Sequence, residues 1–178
     1  MKSKLNIEKT AQLCCYLIEQ CGNDGKITRL KALKLLYLID RETFARYGFF
    51  ITGDRYCSMQ HGPVLSETYN LIKSNGDETI WAEMIETDSI NIRQKKDTNF
   101  DLLSKAEFEV INDIIGDYGS FSAFDLVNTT HGFPEWKDPT IGKRSIPICH
   151  EEIMANLGYT EPQIKSIVEE AESINSLI

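Results

Sequence analysis

Three side chains in this sequence are of types that can do acid–base chemistry: Asp40, His61 and His131. Leu33 and Tyr37 precede Asp40 at helical spacing in an apolar segment, so a helix here would point the carboxylate at the core of the fold. A buried carboxylate must be hydrogen-bonded or paired, because its burial is otherwise costly. Two interpretations follow: an acid–base or ligand pocket built from Asp40 and a histidine, or a structural pin that fixes the turn after the helix to the core.

We expect the partner of Asp40 to come from polar groups later in the chain. His61 lies between a predicted strand and a predicted helix, and His131 lies at a predicted helix end where the dipole favours its charged form. The structural pin is the favoured interpretation. The candidate partners are His61, His131, Tyr56, Arg55 and the free amides at Gly62-Pro63.

The spacings of the common catalytic motifs are missing from this sequence. It contains no phosphate-binding Walker loop, no GxGxxG after a strand, no GxSxG elbow and no HExxH. Its five cysteines include no CxxC pair and have no histidine cluster beside them, which argues against zinc. We therefore predict that the protein is not an enzyme, and we assign no catalytic residue, no metal and no cofactor.

The elements that would position these residues begin with two helices. The first is predicted from Asn6 to Cys21, and the second from a Thr28 cap to Tyr47, with Gly48 as its stop. The second helix is apolar around most of its circumference, which is typical of the centre of a fold. Its remaining polar stripe is basic and consists of Lys31, Lys34 and Arg41.

The middle of the chain changes to β-like patterning. We predict a strand around Tyr56, a third helix with Pro63 in its first turn, and two strands at Ile80–Ile85 and Ser89–Arg93 that pair with the Tyr56 segment. Capping patterns then predict three more helices, which start after Ser104, Ser122 and Thr160. The fold class is α+β and predominantly α-helical: a compact helical domain with a small antiparallel sheet.

One loop, Thr130–Trp136, combines turn formers with Phe133 and Trp136. Such a loop either plugs the core or anchors a partner protein, since tryptophan is common at binding hot spots. The candidate interface anchors are Phe49, Phe50, Phe121 and Phe133.

The net charge of −8 is unevenly distributed. Residues 1–60 carry 10 Lys and Arg against 6 Asp and Glu, whereas residues 61–178 carry 9 against 21. Wrapping of nucleic acid needs a basic footprint, so the charge argues against nucleic acid as a partner; an acidic surface suits a basic protein, although it also serves solubility. We expect a cytoplasmic protein, because no apolar run reaches the length that crosses a bilayer and the N-terminus resembles no signal peptide.

An ordered series of motifs resembles the signature of the Panacea domain, the family of SocA-like antitoxins. The series includes Lys34–Asp40, Thr52–Tyr56, His61–Val64 and Thr130–Trp136, and it extends over roughly residues 6–140. We expect one domain over residues 1–178, with a C-terminal helix at about 160–177 beyond the match. The positions that match the family pattern are Asp40, Tyr56, His61, Gly62, Pro63, His131, Pro134 and Trp136.

The resemblance implies a helical domain with a small sheet that acts as an antitoxin. Members of the family neutralise unrelated toxins by direct protein contact, occur in prophages and other mobile elements, and in some cases are thought to deliver the toxin to a protease. The implied partners are a cognate toxin, basic if the acidic surface recruits it, and a host protease. Three alternatives remain open: a phage or mobile-element effector that binds a host protein, an enzyme with an Asp/His pocket, and a nucleic-acid-binding helix–turn–helix protein.

Overall fold

A computed structural model describes residues 4–76, 79–139 and 144–175 of the chain. These ranges contain eight helices and six short strands. The helices are α1 (Ile7–Cys21), α2 (Arg29–Tyr47), α3 (Ser66–Ser74), α4 (Ile80–Met84), α5 (Lys105–Tyr118), α6 (Ala123–His131), α7 (His150–Asn156) and α8 (Glu161–Asn175). The strands are β1 (Lys26–Thr28), β2 (Tyr56–Met59), β3 (Gly62–Leu65), β4 (Ile85–Asp88), β5 (Asn91–Gln94) and β6 (Ile146–Ile148).

Helix α2 is the centre of the fold, as predicted. The Thr28 hydroxyl accepts a hydrogen bond from the Lys31 amide at its start, and Gly48 ends it with a left-handed φ of 76°. Every residue from Ala32 to Asp40 is buried. Because α1, α5, α6, α7 and strand β3 all pack against it, α2 is a hub that fixes the surrounding elements.

The first sheet has the order β1-β5-β4 and is antiparallel throughout. The predicted strand Ile80–Ile85 is wrong: residues Ile80–Met84 form the short helix α4, in which Trp81 and Met84 are both buried. A spacing of three residues places both side chains on one face of a helix, whereas in a strand they would face opposite ways. The predicted pairing with the Tyr56 segment is also wrong, because the β4–β5 hairpin pairs with β1 instead.

The second sheet has the order β3-β2-β6. Pro63 was expected in the first turn of a helix, and this is wrong: it lies in β3 opposite Ser58, and α3 begins three residues later at Ser66. Strand β3 is at the edge of this sheet, where the missing N–H of a proline is tolerated. Strand β6 and helix α7 were not predicted.

The predicted caps of α5 and α6 are confirmed, and one half of the capping box predicted before α8 is present. Ser104 with Glu107 and Ser122 with Asp125 each form a reciprocal capping box. Before α8, the Thr160 amide and hydroxyl both donate to Gln163. The α+β, mainly helical class is therefore confirmed. None of the helices in the described ranges is long and apolar enough to cross a membrane.

Candidate functional site

The Asp40 carboxylate is fully buried and accepts hydrogen bonds from two residues that follow α2. The Thr52 amide donates at 3.0 Å, the Thr52 hydroxyl donates to the other oxygen, and the Tyr56 hydroxyl donates at 2.8 Å. Burial raises the pKa of Asp40 to about 6, although these donors oppose the rise by stabilising the anion. At neutral pH the carboxylate is an ionised acceptor that ties the end of the loop after α2 to the core.

Asp54, in the same loop, connects Thr52 to the start of α3. The Asp54 amide donates to the Thr52 hydroxyl at 3.1 Å, while its carboxylate accepts from the amides of Glu67 and Thr68 in the first turn of α3. The Thr68 hydroxyl also donates to this carboxylate, at 2.7 Å. Asp54 thus satisfies the free amides at the start of α3, which Leu65, the residue at the N-cap position, cannot do with its side chain.

Lys34 is fully buried and holds the β2–β3 hairpin. Its ammonium donates to the Pro63 carbonyl at 2.6 Å, and burial lowers its pKa to about 7. Gly62 makes this approach possible, because a Cβ there would lie 2.7 Å from both the Lys34 Nζ and the Thr130 hydroxyl. Gly62 also has a φ of +93°, which L side chains rarely adopt.

His131 and Trp136 close the other side of this hairpin. Their rings stack at a centroid distance of 3.8 Å, and the Trp136 indole N–H donates to the Met59 carbonyl at 3.0 Å. The pKa of His131 is lowered by burial and by the nearby Lys34 charge. This direction is opposite to the one expected from the helix end, because burial disfavours the charged imidazole.

Glu135 is a buried carboxylate from the loop after α6 that binds two residues of α2. It accepts from the Tyr37 hydroxyl at 2.9 Å, from Arg41 Nε at 2.7 Å and from the Asn156 amide at 3.2 Å. The Arg41 guanidinium lies 4.2 Å from the centre of the Phe133 ring, which adds a cation–π contact. The Phe133–Glu135 part of the loop is therefore packed onto α2.

We call Lys34, Tyr37, Asp40 and Arg41, together with the groups they bind, the α2 polar network. It joins one helix to the β2–β3 hairpin, to the loop before β2 and to the loop after α6. Asp40 accepts from Tyr56, which was one of its expected partners, whereas no hydrogen bond joins it to His61 or His131. His61 is exposed, and no hydrogen bond in the described structure joins its side chain to the network. Asp40 therefore binds the segment that follows α2, and it forms no common hydrogen-bonded site with the two histidines.

The basic stripe of α2 faces inward. Lys31 donates to the Gly119 carbonyl at the end of α5, Lys34 donates to Pro63, and Arg41 pairs with Glu135. These cations are already engaged by the protein, so they are not free to neutralise phosphates. This arrangement weighs against a nucleic-acid interface on α2.

The four predicted anchors divide into two pairs. Phe50 packs against Phe44, Tyr56 and His150, and Phe133 lies under Arg41. Phe49 and Phe121 are exposed and contact only Tyr47 and Tyr118 among the aromatic rings. Pro134 is exposed at the tip of the loop.

A groove of about 630 Å³ opens beside the start of α2, between α3, α6 and the β4–β5 turn. Its most exposed apolar residues are Phe124, at 69% exposure, and Ile90, at 62%. The described residues that line it include three groups that can carry positive charge and no carboxylate. These groups are Arg29, His61 and Lys73; the main apolar lining is Leu30, Leu33, Tyr69, Ile90, Ala123 and Phe124.

The sequence analysis did not predict the groove, although two apolar residues in unusual positions indicated it. The buried stripe of α6 runs through Leu126, Val127 and Thr130, and Phe124 lies outside it. Ile90 is a large apolar residue in a two-residue hairpin turn, where polar residues and glycine are usual. Neither apolar side chain is buried in the core, so packing of the core does not account for either residue.

The cysteines are free thiols in the described structure. Cys14, Cys15 and Cys57 are buried, Cys21 is half-buried and Cys149 is exposed. Burial raises the pKa of Cys15 to about 11, which leaves it an unreactive thiol. Within the described ranges no three His, Cys, Asp or Glu side chains are grouped so that they could hold a metal ion.

Comparison with known proteins places the chain in a family. No curated protein and no solved structure matches the chain. The family model described as "Antitoxin SocA-like, Panacea domain" matches residues 33–137. That range contains the four α2 residues of the polar network and most of the groups they bind, and it is more than half of the chain. The chain therefore belongs to the Panacea domain family of SocA-like antitoxins.

Proposed function

We propose that this protein is an antitoxin that neutralises a partner toxin by direct protein–protein contact. Its membership of the Panacea family over residues 33–137 is the observation that carries the proposal. A surface that is ordered before binding favours tight neutralisation, because ordering an interface on binding costs free energy. The α2 polar network supplies this by joining three segments to one helix.

The chemistry of the buried groups supports binding rather than catalysis. Asp40 is sealed from solvent and its oxygens are occupied by Thr52 and Tyr56. A general base must reach a proton on the substrate through a hydrogen bond or a single water. Asp40 has no such access, and Glu135, which is also fully buried, is held by Tyr37 and Arg41.

Co-expression with the product of the adjacent gene tests the proposal. The neighbour alone should stop growth, and growth should return when this chain is expressed with it. The purified pair should form a complex with a dissociation constant in the nanomolar range, which corresponds to about −12 kcal/mol. A harmless neighbour, or one whose toxicity persists at equal expression, would contradict the proposal.

The fate of the toxin separates sequestration from delivery to a protease. Under sequestration, the amount of toxin stays constant while its activity falls. Under delivery, the half-life of the toxin shortens when this chain is present, and the shortening requires the host protease. If this chain binds a host protein and the neighbour is harmless, the chain is instead an effector carried by a mobile element.

A further inference from the structure

We propose that the groove beside the start of α2 is where the partner toxin docks, and that the docked toxin segment is amphipathic, with apolar anchors flanked by carboxylates. The inference rests on the proposed function and adds the site and the chemistry of the toxin segment. It assigns a role to residues outside the α2 polar network.

The first argument is the exposure of the apolar lining. Phe124 and Ile90 keep 69% and 62% of their surface in water, more than any other large apolar side chains in the described part of the chain. Both face a groove whose wall also includes Leu30, Leu33 and Tyr69. Large exposed apolar side chains that share one concave surface mark interaction sites, whereas single scattered ones do not.

The second argument is charge. Four arginines form ion pairs with Asp or Glu: Arg41, Arg46, Arg55 and Arg93. At the groove, no carboxylate in the described ranges pairs with Arg29 or Lys73, although the whole chain carries a net charge of −8. A small cationic rim around an apolar floor complements a segment that places carboxylates beside apolar anchors. Nucleic acid would need a much wider basic surface, which the acidic remainder of the molecule does not offer.

The third argument is rigidity. The backbone of the β4–β5 turn is tied to the start of α2, because the Arg29 amide donates to the Ile90 carbonyl at 2.8 Å. Phe124 lies in the first turn of α6, which the Ser122–Asp125 capping box fixes. The apolar walls are thus held by hydrogen bonds before any partner arrives, so binding need not order them.

Variants on the groove test the docking site with the purified toxin as the probe. Phe124→Ala should weaken binding by at least about 10-fold, as expected for an aromatic hot spot. The double variant Arg29→Glu with Lys73→Glu should weaken it by a similar factor, because the reversed charges repel the carboxylates of the docked segment. Each variant alters exposed or rim positions, so its thermal unfolding should match that of the wild type.

Matched controls alter the same residue types elsewhere. Phe49→Ala removes an exposed aromatic ring at the far end of α2, about 27 Å away by helical rise. Lys4→Glu with Lys105→Glu reverses two exposed charges outside the groove. Both controls should bind within about threefold of the wild type, since neither touches the docking site. Replacing one carboxylate of the docked toxin segment with lysine should restore binding to the Arg29→Glu, Lys73→Glu variant.

The outcomes separate this inference from the proposed function. If the wild type neutralises the toxin and the groove variants do so equally well, the docking site is wrong and the antitoxin function stands. If Phe49→Ala abolishes binding and Phe124→Ala does not, the interface is at the other end of α2 and the inference is overturned. If the wild type neutralises no toxin, the proposed function fails and the inference fails with it.

Discussion

The α2 polar network and the groove both include residues of α2, yet their side chains differ in burial and in partners. In the network, Asp40 and Lys34 are fully buried and hydrogen-bonded. At the groove, the Phe124 ring is mostly in water, and the charge on Arg29 has no partner in the described structure. Buried groups that lose a partner cost stability, whereas exposed groups that gain one contribute to binding. The contrast indicates that the first region holds the fold and the second is available to another protein.

The largest expected effect is that of Asp40→Ala on stability. The substitution leaves the Thr52 amide, the Thr52 hydroxyl and the Tyr56 hydroxyl buried without their acceptor. The free energy of unfolding should fall by about 3 kcal/mol in a denaturant titration. Glu42→Ala, two residues along the same helix, is the control and should change it by less than about 0.5 kcal/mol. If the Asp40→Ala protein were as stable as the wild type, Asp40 would not stabilise the fold, and the pin interpretation would be wrong.

Gly62→Ala should have the next largest effect. The added methyl group meets the Lys34 ammonium and the Thr130 hydroxyl at 2.7 Å, and the backbone has a φ of +93°. The expected loss is about 2–3 kcal/mol, from strain and from close contact. Gly25→Ala isolates the strain, because Gly25 has a φ of +69° with no atom within 4 Å of the new methyl group. Equal losses for the two variants would show that Gly62 is not tightly packed against Lys34.

Lys34 should leave a signature in the dependence of stability on pH. Its folded-state pKa of about 7 lies below the ordinary value of 10.5, so between these values the native state binds fewer protons than the unfolded state. The free energy of unfolding therefore rises with pH across that window, by up to about 1.4 kcal/mol per pH unit from this group. Lys34→Met should lack this contribution when both proteins are titrated with denaturant from pH 7 to 9. Parallel curves for the two proteins would mean that Lys34 titrates normally.

The smallest expected effect on stability is that of Phe124→Ala. The ring is 69% exposed, so the free energy of unfolding should change by less than about 0.5 kcal/mol. The same substitution should weaken toxin binding strongly, and this separation is what distinguishes the groove from the α2 polar network. A loss of stability above about 1 kcal/mol would place Phe124 in the structural core instead.

The longer helices α1, α2, α5, α6 and α8 were predictable because their signals are local, whereas the short helices α4 and α7 were not. The caps at Thr28, Ser104 and Ser122 and the stop at Gly48 act within one turn of the residues they affect. The sheets were not predictable in the same way. Strand β1 pairs with β5 across more than 60 residues. Pro63 belongs to an edge strand, and the helix α3 that follows this strand is capped by Asp54 from an earlier loop. Such pairings depend on tertiary contacts, which periodicity does not record.

The candidate residues were predictable only in part, for a similar reason. The place of Asp40 on the apolar face was enough to predict a buried carboxylate, and Tyr56 was among its expected partners. Thr52 and Glu135 lie within the motifs that resemble the family, but they were not expected as partners of buried groups, because a hydroxyl in a loop and a glutamate after a proline have no distinctive spacing. Phe124 and Ile90 could have been identified as apolar residues left over once the core had been assigned.

Hydrogen exchange of the complex is the most direct test of the division between the α2 polar network and the groove. With the toxin bound, amide protection should increase in the segments that form the groove walls, residues 69–73, 89–91 and 121–125. The loop at residues 52–55, whose Thr52 amide is already bonded to Asp40, should change little. Protection that increases only around Tyr47–Phe50, with the groove segments unchanged, would contradict the account.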